Sequence, residues 1–449
     1  MNSHTLFTKT PPTRLFMIAA VPGAISMLAS SLYTVIDGVF VGQILGETAF
    51  AALNLAMPFV IINFALADLI GVGSSVHISI NLGRKQEREA NNLFSCACLM
   101  ILITAILVGG ILFAAAPMLI SWMGATGEFA RLAVQYLQIC ALCSPVTTIV
   151  FAMDNYLRIC GKIRSSMLLN ILMSVISAVL EFIFLFVFRW GIWGAALATN
   201  LGMIICAFIA LFPFIRGSLQ LRFCVPRISV TMVRKIISCG SPNFLNNIAG
   251  RITSILMNLL LVRMGGETAV SIYGVLMYAE AVIQPLLYGM CDSLQPAVGY
   301  NWGAANYRRV KDIEKCCFVA SAVLSVSSAF LILAFPEPIA RLFISSGDPM
   351  FMGMAINALR LFSLTYLTRW ISFATQSYML AIENPVPASV LSVSNALVFP
   401  LLLVVVLWPL GLNGLWLNFA GTSALSAVLA VVALLRLRRD MKKKEACAL

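Results

Sequence analysis

Five acidic residues lie in stretches of the sequence that are otherwise apolar enough to sit inside a lipid bilayer. They are Asp37, Asp68, Glu181, Glu280 and Asp292. A carboxylate in the hydrocarbon layer costs about 2.5–3.5 kcal/mol on insertion scales, so such residues mark ion or substrate pathways by default. We therefore expect this set to bind an ion or an organic ligand.

Hydroxyl groups accompany two of these acids at the spacing of one helical turn. Tyr33 precedes Asp37 by four residues, and Ser177 precedes Glu181 by four. Residues at this spacing share one face of a helix. The oxygens of such a cluster suit a small hard cation, whereas desolvated carboxylates suit proton binding. The residues themselves leave both chemistries open.

The chain that positions these residues is too apolar for an ordinary soluble domain. Of its 449 residues, 60% are hydrophobic and 11% are charged, and the mean hydropathy is +0.94. Soluble domains carry about 25% charged residues. Long charge-free runs result, and a run of about 20 residues suffices for a membrane helix.

Runs with no charge, or with a few isolated charges, together predict twelve membrane-spanning helices. The predicted spans are Leu15–Ile36, Thr48–Gly83, Ala90–Gly127, Leu132–Met153, Ser165–Phe188, Trp190–Ile215, Ile236–Val262, Thr268–Tyr307, Cys316–Pro336, Asp348–Ala381 and two within Asn384–Leu435, divided near Gly411. The predicted fold is all-α and integral to the membrane.

Lysine and arginine are distributed unevenly between alternate inter-helix segments. One set of segments carries most of them, while the other set holds only Arg131, Arg189, Arg263 and Arg341. Basic segments face the cytoplasm, so we expect both termini there and the chain in a bacterial or archaeal plasma membrane. We interpret the net charge of +12 as anchoring to lipid headgroups rather than nucleic-acid binding.

The sequence contains no pattern typical of a metal site, a disulfide framework or an enzyme. Its twelve cysteines lie mostly within predicted helices, and His4 and His77 are the only histidines. The cysteines are therefore expected to be small apolar packing residues. No HExxH, paired-aspartate or Ser/His motif occurs in the spans, so we expect neither a cofactor nor enzymatic activity.

The sequence matches itself at an offset of 220 residues. Matching pairs include Pro22 with Pro242, Gly46-Glu-Thr-Ala49 with Gly266-Glu-Thr-Ala269, and Gly83 with Gly303. So many matches in chain order indicate a duplicated six-helix unit. Because six is even, the halves are predicted to be parallel repeats related by an axis along the membrane normal. We expect an N-lobe at residues 1–220, a C-lobe at 221–449, a linker at about 216–235 and a central cleft.

The repeat provides a control for the role of the acids. The aligned pairs at the same offset are Asp37 with Met257, Glu181 with Leu401, and Glu280 with Val60. Glycines and prolines are shared between the halves and these acids are not. A purely architectural role for the three acids is therefore disfavoured.

Three arginines also fall inside predicted spans, namely Arg251, Arg360 and Arg369. Each could pair with a buried acid, which is an alternative interpretation for Asp68 and Asp292.

Several strings resemble the multidrug and toxic compound extrusion (MATE) family, over nearly the whole chain. The strings are Tyr33–Gly42 (YTVIDGVFVG), Asn155–Gly161 (NYLRICG), Gly191–Thr199 (GIWGAALAT) and Gln295–Ala304 (QPAVGYNWGA). The resemblance is to the DinF-like and MepA-like branch. It implies a cation-coupled antiporter that exchanges external Na⁺ or H⁺ for cytoplasmic organic compounds by rocking two six-helix lobes.

The resemblance also implies a cation or proton site in the N-lobe. The family's residues correspond here to Tyr33, Asp37, Asn155, Ser177, Glu181 and Thr199. The usual Asp and Asn of helix 5 are replaced by Glu181 and Ser177, which favours protons over Na⁺. If the ion is Na⁺, its expected ligands are Asp37, Glu181 and Thr199. No second Na⁺ site is expected in the C-lobe, where Arg251 and Arg360 replace the acids of the other branch.

Glu280 corresponds to a helix 8 acid that the family associates with cationic drugs. The expected substrate-binding set is Glu280, Gln284, Asp292, Gln295, Tyr300 and Asn301. Gln295, Tyr300 and Asn301 are also expected to shape the cytoplasmic closure. The alternative for Glu280 is that it pairs with a buried arginine.

The predicted function is multidrug efflux by a monomeric H⁺- or Na⁺-coupled antiporter. Its expected partners are organic, cationic amphiphilic compounds and the membrane lipid. The alternative is a flippase for lipid-linked oligosaccharides, which would present basic residues such as Arg251 and Arg360 to a pyrophosphate in the cleft.

Overall fold

The computed structural model describes residues 3–341 and 349–447. Within these ranges, twelve helices are long and apolar enough to cross a membrane, as the sequence predicts. The helices of the first half are α1 (Pro12–Leu45), α2 (Thr48–Gly83), α3 (Glu87–Trp122), α4 (Gly127–Ile159), α5 (Ile163–Val187) and α6 (Ile192–Ile215). The helices of the second half are α7 (Val230–Gly266), α8 (Thr268–Gly303), α9 (Tyr307–Ala334), α10 (Pro349–Ala381), α11 (Pro385–Val406) and α12 (Leu412–Arg439).

Twelve crossings return the chain to the face on which it starts. We call this the terminal face, where α1 begins and α12 reaches Arg439, and we call the other the opposite face. α1 continues well past the predicted Ile36 and ends at Leu45. Asp37 is therefore an internal helix residue, with about two helical turns between it and the opposite face.

The contact between α2 and α8 shows the twofold relation of the two halves directly. A Cβ added to Gly83 would lie 2.0 Å from the carbonyl oxygen of Tyr300, and one added to Gly303 would lie 2.1 Å from that of Ile80. Gly83 and Gly303 are separated by 220 residues, and so are Ile80 and Tyr300. The two halves therefore pack as parallel repeats around a common axis.

A seam of glycines joins the two lobes. It consists of Gly23, Gly73, Gly83, Gly240, Gly289 and Gly303. Each lies in the half of its helix nearer the terminal face and touches the other lobe; a Cβ on Gly240, for example, would lie 1.8 Å from the Leu69 carbonyl oxygen. Only glycine allows two backbones to approach this closely. The lobes are therefore closed against each other at the terminal face.

The segment between α6 and α7 is non-helical from Arg216 to Ser229 and overlaps the predicted linker. It is held to α3 by side chains that accept from its backbone. Asn91 accepts from the Arg222 N–H at 2.9 Å and Ser95 from the Cys224 N–H at 2.9 Å. The linker therefore lies along the N-lobe at the terminal face.

A short helix, Ser3–Lys9, precedes α1 and crosses to the other lobe. The Phe7 carbonyl oxygen accepts from Asn301 Nδ2 at 3.0 Å and from Arg309 Nε at 2.7 Å. Its ring lies 5.8 Å from the Tyr300 ring. The beginning of the described chain thereby bridges the closed seam.

Candidate functional site

Three helices of the N-lobe bring together the two acids at positions 37 and 181. Tyr33 and Asp37 lie on α1, Ser177 and Glu181 on α5, and Thr199 on α6. The four-residue spacing puts each acid and its hydroxyl on one helical face, and α1, α5 and α6 pack those faces together. We call these five residues the N-lobe acid cluster.

The Tyr33 hydroxyl connects the members of the cluster. It donates to Glu181 Oε2 at 3.4 Å and lies 2.8 Å from the Thr199 hydroxyl oxygen. The Asp37 carboxyl adjoins both Glu181 and Thr199, and Ser177 lies beside Tyr33. Five of the six residues predicted for the cation site therefore form one group.

The acids lie at the enclosed end of this group. Glu181 and Ser177 are 0% and 1% exposed, and Asp37 is 5% exposed. Glu181 Oε1 and Ser177 Oγ are buried without a hydrogen-bond partner, whereas Tyr33 and Thr199 are partly exposed. Tyr33 and Thr199 are therefore the more exposed members of the cluster.

Among the described residues, no lysine, arginine or histidine forms an ion pair with Asp37 or Glu181. Two touching carboxylates in a low-dielectric site cannot both remain charged. They share one bound positive charge, which is either a proton or a metal cation. Taking up and releasing that charge is the chemistry available here.

Asn155, the sixth predicted member, lies elsewhere. It is four residues from the end of α4 at the terminal face, and its amide donates to the Phe151 carbonyl oxygen at 3.4 Å. At 1.5 Å per residue, Asn155 lies roughly 42 Å and Asp37 roughly 12 Å from the opposite face. The structure therefore does not bring Asn155 to the cluster, because the motif that contains it ends the helix.

Glu280, the predicted substrate acid of α8, pairs with two residues of α10. Its Oε1 lies 2.5 Å from an Arg369 guanidinium nitrogen, and its Oε2 accepts from the Tyr366 hydroxyl at 2.5 Å. The alternative prediction for Glu280, that it pairs with a buried arginine, is therefore the arrangement observed. Glu280 is not free to bind a cationic drug in this conformation, because α8 and α10 pack with the side chains of Glu280, Tyr366 and Arg369 against each other.

A cavity of about 380 Å³ adjoins this ion pair within the C-lobe. We call it the C-lobe cavity. Its lining includes Gln284, Asn395 and Asn418, and its charged residues are Arg251, Glu280 and Arg369. Arg251 is exposed and forms no ion pair with any described residue. One more positive than negative group therefore faces this space.

A smaller cavity of about 200 Å³ lies between the lobes, lined by Asp68 of α2 together with Asn243, Gln284 and Asp292. Asp292 Oδ1 accepts from Gln295 Nε2 at 2.9 Å. Within the described ranges neither aspartate forms an ion pair. The predicted alternative, pairing with a buried arginine, is therefore not observed, and side-chain amides surround the acids instead.

Three residues of the predicted substrate set lie outside both cavities. Gln295 also donates to Ser377 at 3.0 Å. Tyr300 packs against the N-terminal helix, and Asn301 donates to it. Gln295, Tyr300 and Asn301 thus lie in the half of α8 nearer the terminal face and line neither cavity. Their part in closure stays a prediction. Arg360, predicted with Arg251 for the flippase alternative, lines neither cavity.

A buried ion pair in α4 was not predicted from the sequence. Arg158, which lies beyond the predicted span Leu132–Met153, is 2% exposed and lies 2.5 Å from Asp154. It also donates to Ser166 at 3.0 Å and to Ser293 of the other lobe at 3.4 Å. The spacing of Asp154 and Arg158 by four residues was the available signal, because opposite charges at that spacing meet on one helical face.

Two comparisons of the sequence place it among known proteins. The profile of the family described as MatE matches residues 22–183 and 242–406, one match in each lobe. Multidrug export protein MepA of Staphylococcus saprophyticus is 25% identical over 443 residues, which cover 98% of this chain and 97% of that protein. MepA of Staphylococcus aureus strain N315 is 25% identical over 445 residues, with the same coverage.

Solved structures of other proteins share this fold. A MATE protein in complex with MaL6 superimposes with a TM-score of 0.93 at 22% identity, covering 99% of this chain and 100% of that one. A multidrug resistance MATE transporter in its outward-facing conformation gives a TM-score of 0.89 at 22% identity, covering 98% of both chains. Since the family profile matches most of both lobes, the chain belongs to the MatE family of multi-pass membrane transporters.

Proposed function

We propose that this protein is a proton-coupled antiporter that exports small organic compounds. The N-lobe acid cluster supports the proposal, because Asp37 and Glu181 touch in a buried site and neither has a basic partner among the described residues. A site of this kind requires a bound positive charge and releases it only when its surroundings change. Movement of the two lobes supplies such a change.

A proton fits this cluster better than Na⁺ does. One proton shared between two touching carboxyl groups removes one of their two negative charges without further ligands. A metal ion needs several oxygens around it at fixed distances, whereas a shared proton needs only the two carboxyl groups that already touch. The substitution of Glu and Ser for the family's Asp and Asn points the same way.

The direction of transport is proposed from charge and closure together. Basic residues concentrate on the terminal face, which we propose to be cytoplasmic. The glycine seam closes that face, and the partly exposed Tyr33 and Thr199 provide access to the acids. In this conformation protons enter from outside. Protonation then favours the conformation that is open to the cytoplasm, whereas substrate favours the conformation that is open to the outside.

The test uses proteoliposomes loaded with a fluorescent dye and given either a pH gradient or a Na⁺ gradient. We expect the pH gradient to move dye through the wild-type protein and the Na⁺ gradient to have no effect. Asp37→Asn and Glu181→Gln should reduce gradient-driven movement to the level of empty liposomes. Glu128→Gln is the matched control, since Glu128 is exposed and paired only with Arg131.

Two results would contradict this proposal. Dye movement driven by Na⁺ alone would assign Na⁺ as the coupling ion. Wild-type transport by both acid variants would remove the N-lobe acid cluster from the coupling step altogether.

The charges of the C-lobe cavity bear on the substrate. The MepA relatives are named as multidrug export proteins, and we propose export of amphiphilic compounds here. A cationic compound must displace Arg369 from Glu280, whereas one with an anionic or zwitterionic group meets the unpaired Arg251 directly. We therefore propose that the second class is preferred.

Fluorescein and rhodamine dyes test this preference, because they share one ring system and differ in charge. Arg251→Gln should lower transport of the anionic dye and leave the cationic dye unchanged. If instead only the cationic dye is transported, and Glu280→Gln abolishes its transport, the sequence-based expectation of a cationic substrate is restored. Of the two arginines expected to face a pyrophosphate in a flippase, only Arg251 lines one of the two cavities near the predicted substrate acids. The flippase is therefore the weaker candidate.

A further inference from the structure

A cavity of about 600 Å³ lies in the C-lobe at the terminal face, apart from the sites above. It is formed by α9, α10 and α12 and lies at the level of the lipid headgroups, because these helix ends mark the membrane surface. Its volume is within the range of about 300–1,000 Å³ typical of ligand sites. We call it the headgroup cavity.

The lining of the headgroup cavity changes with depth. Lys315 of α9 and Arg438 of α12 supply positive charge, and both are exposed. Phe318 lies one turn further into α9, and Leu434 lies one turn before Arg438 in α12, so both are deeper in the membrane. One helical turn corresponds to roughly 5 Å. The cavity therefore suits an amphiphile with its polar end at the surface.

A buried acid also lines this cavity. Glu314 of α9 is 8% exposed, and its Oε2 atom has no hydrogen-bond partner. A buried carboxylate oxygen without a donor carries a large desolvation penalty. A ligand that offers a positively charged donor removes that penalty.

The other half of the molecule shows the same space in a filled form. At the offset of 220 residues, Glu314 corresponds to Phe94 and Leu434 to Phe214. The Phe94 ring is fully buried, 5.1 Å from the Phe214 ring and 4.7 Å from that of Phe223 in the linker. Aromatic side chains fill the N-lobe site, whereas its C-lobe counterpart has an acid and an open cavity.

We propose that the headgroup cavity binds a zwitterionic glycerophospholipid with a primary ammonium group, of the phosphatidylethanolamine type. Its ammonium donates to Glu314, its phosphate pairs with Lys315 and Arg438, and the start of an acyl chain contacts Phe318 and Leu434. The lipid thus lies beside Glu314 and Leu434, whose counterparts in the N-lobe are the rings of Phe94 and Phe214.

The chemistry of the lining separates this lipid from others. A quaternary choline ammonium has no N–H to donate to the buried Glu314 oxygen. An anionic glycerol headgroup brings no positive charge to it at all. A primary ammonium with a phosphate beside it satisfies Glu314 together with Lys315 and Arg438.

The test measures lipid binding to the purified full-length protein by native mass spectrometry. Dioleoyl phosphatidylethanolamine, phosphatidylcholine and phosphatidylglycerol are titrated separately. Wild-type protein should bind one phosphatidylethanolamine at least about tenfold more tightly than the other two, the effect of a hydrogen bond to a charged group. Glu314→Gln should remove this preference, and Arg438→Ala should weaken phosphatidylethanolamine binding by a similar factor.

Glu337→Gln is the matched control, because Glu337 is exposed, pairs with Arg341 and does not line the cavity. Its lipid preference should equal that of the wild type, and size-exclusion profiles should show that each variant is folded. Equal binding of all three lipids by wild-type protein overturns the proposal, as does a preference that survives in Glu314→Gln. Neither outcome affects the antiport proposal, which depends on other residues.

Discussion

Tyr33 is the residue that connects the N-lobe acid cluster, since its hydroxyl touches both Glu181 and Thr199. In Tyr33→Phe the ionised carboxylate loses a donor worth about 0.5–1.5 kcal/mol. The protonated pair then persists to higher pH. We expect the pH midpoint of proton-driven transport to rise by roughly 0.4–1 unit, at 1.36 kcal/mol per unit.

The measurement is the pH dependence of dye transport in proteoliposomes. Thr34→Val is the control, because the Thr34 hydroxyl bonds only to the Ser30 carbonyl oxygen of its own helix. An unchanged midpoint in Tyr33→Phe would separate this hydroxyl from proton uptake.

Arg158 is the residue whose loss should destabilise the fold most directly. Its guanidinium is buried and pairs with Asp154 at 2.5 Å. Removing one partner of a buried ion pair costs about 3–5 kcal/mol, because the other charge stays behind. We expect Arg158→Met to lower the heat-denaturation midpoint in detergent clearly, and Asp154→Asn in the same chain to recover most of the loss.

Arg131→Ala provides the comparison for this prediction. Arg131 forms a similar ion pair with Glu128, but both side chains are more than half exposed. Such pairs contribute little, so no measurable shift is expected. Equal shifts in Arg158→Met and Arg131→Ala would contradict the structural role assigned to burial.

Among the helices, α2 and α8 determine how closely the lobes can approach. A Cβ on Gly83 would lie 2.0 Å from the Tyr300 carbonyl oxygen, so Gly83→Ala must separate the two helices. Overpacking of this kind costs about 1–3 kcal/mol. We expect the lobes of this variant to spend much less time closed at the terminal face.

Spin labels on non-natural amino acids at Arg88 and Arg308 would report this opening, because both residues are exposed at the terminal face, one in each lobe. Pulsed electron resonance should show a longer distance in Gly83→Ala than in wild type. Gly110→Ala is the control, since a Cβ there meets no atom within 4 Å. A lengthened distance in the control would show that the change is not specific to the seam.

The number and order of helices follow from the sequence, because lipid imposes an apolar stretch on every crossing. The grouping of Tyr33, Asp37, Ser177, Glu181 and Thr199 was expected from helix periodicity together with family resemblance. Which of the three arginines pairs with Glu280 was not predictable. Glu280 pairs with Arg369 only because α8 and α10 align at that depth, and nothing in either segment alone specifies the alignment.

At the scale of the whole molecule, the N-terminal helix Ser3–Lys9 fastens one lobe to the other. Deleting residues 1–10 removes the bonds from Asn301 and Arg309 to the Phe7 carbonyl. Each is worth about 0.5–1.5 kcal/mol or more. We expect the deletion to shift the population towards opening of the terminal face, measured with the same pair of spin labels.

Phe7→Ala distinguishes this bridge from simple ring packing. The variant keeps the backbone carbonyl and loses only the contact with the Tyr300 ring. Its label distances should stay close to those of wild type. If Phe7→Ala opens the terminal face as far as the deletion does, the ring and not the carbonyl joins the lobes.

The docking of Ser3–Lys9 on the C-lobe also sets an order of events on the ribosome. The Phe7 carbonyl oxygen cannot accept its hydrogen bond from Asn301 until that residue has been synthesised, 294 residues later. At about 5–20 residues per second, this delay lasts roughly 15–60 s. During that interval the nascent N-lobe is already in the membrane with its leading segment undocked, and chaperones or proteases can reach the segment until α8 and α9 have been synthesised.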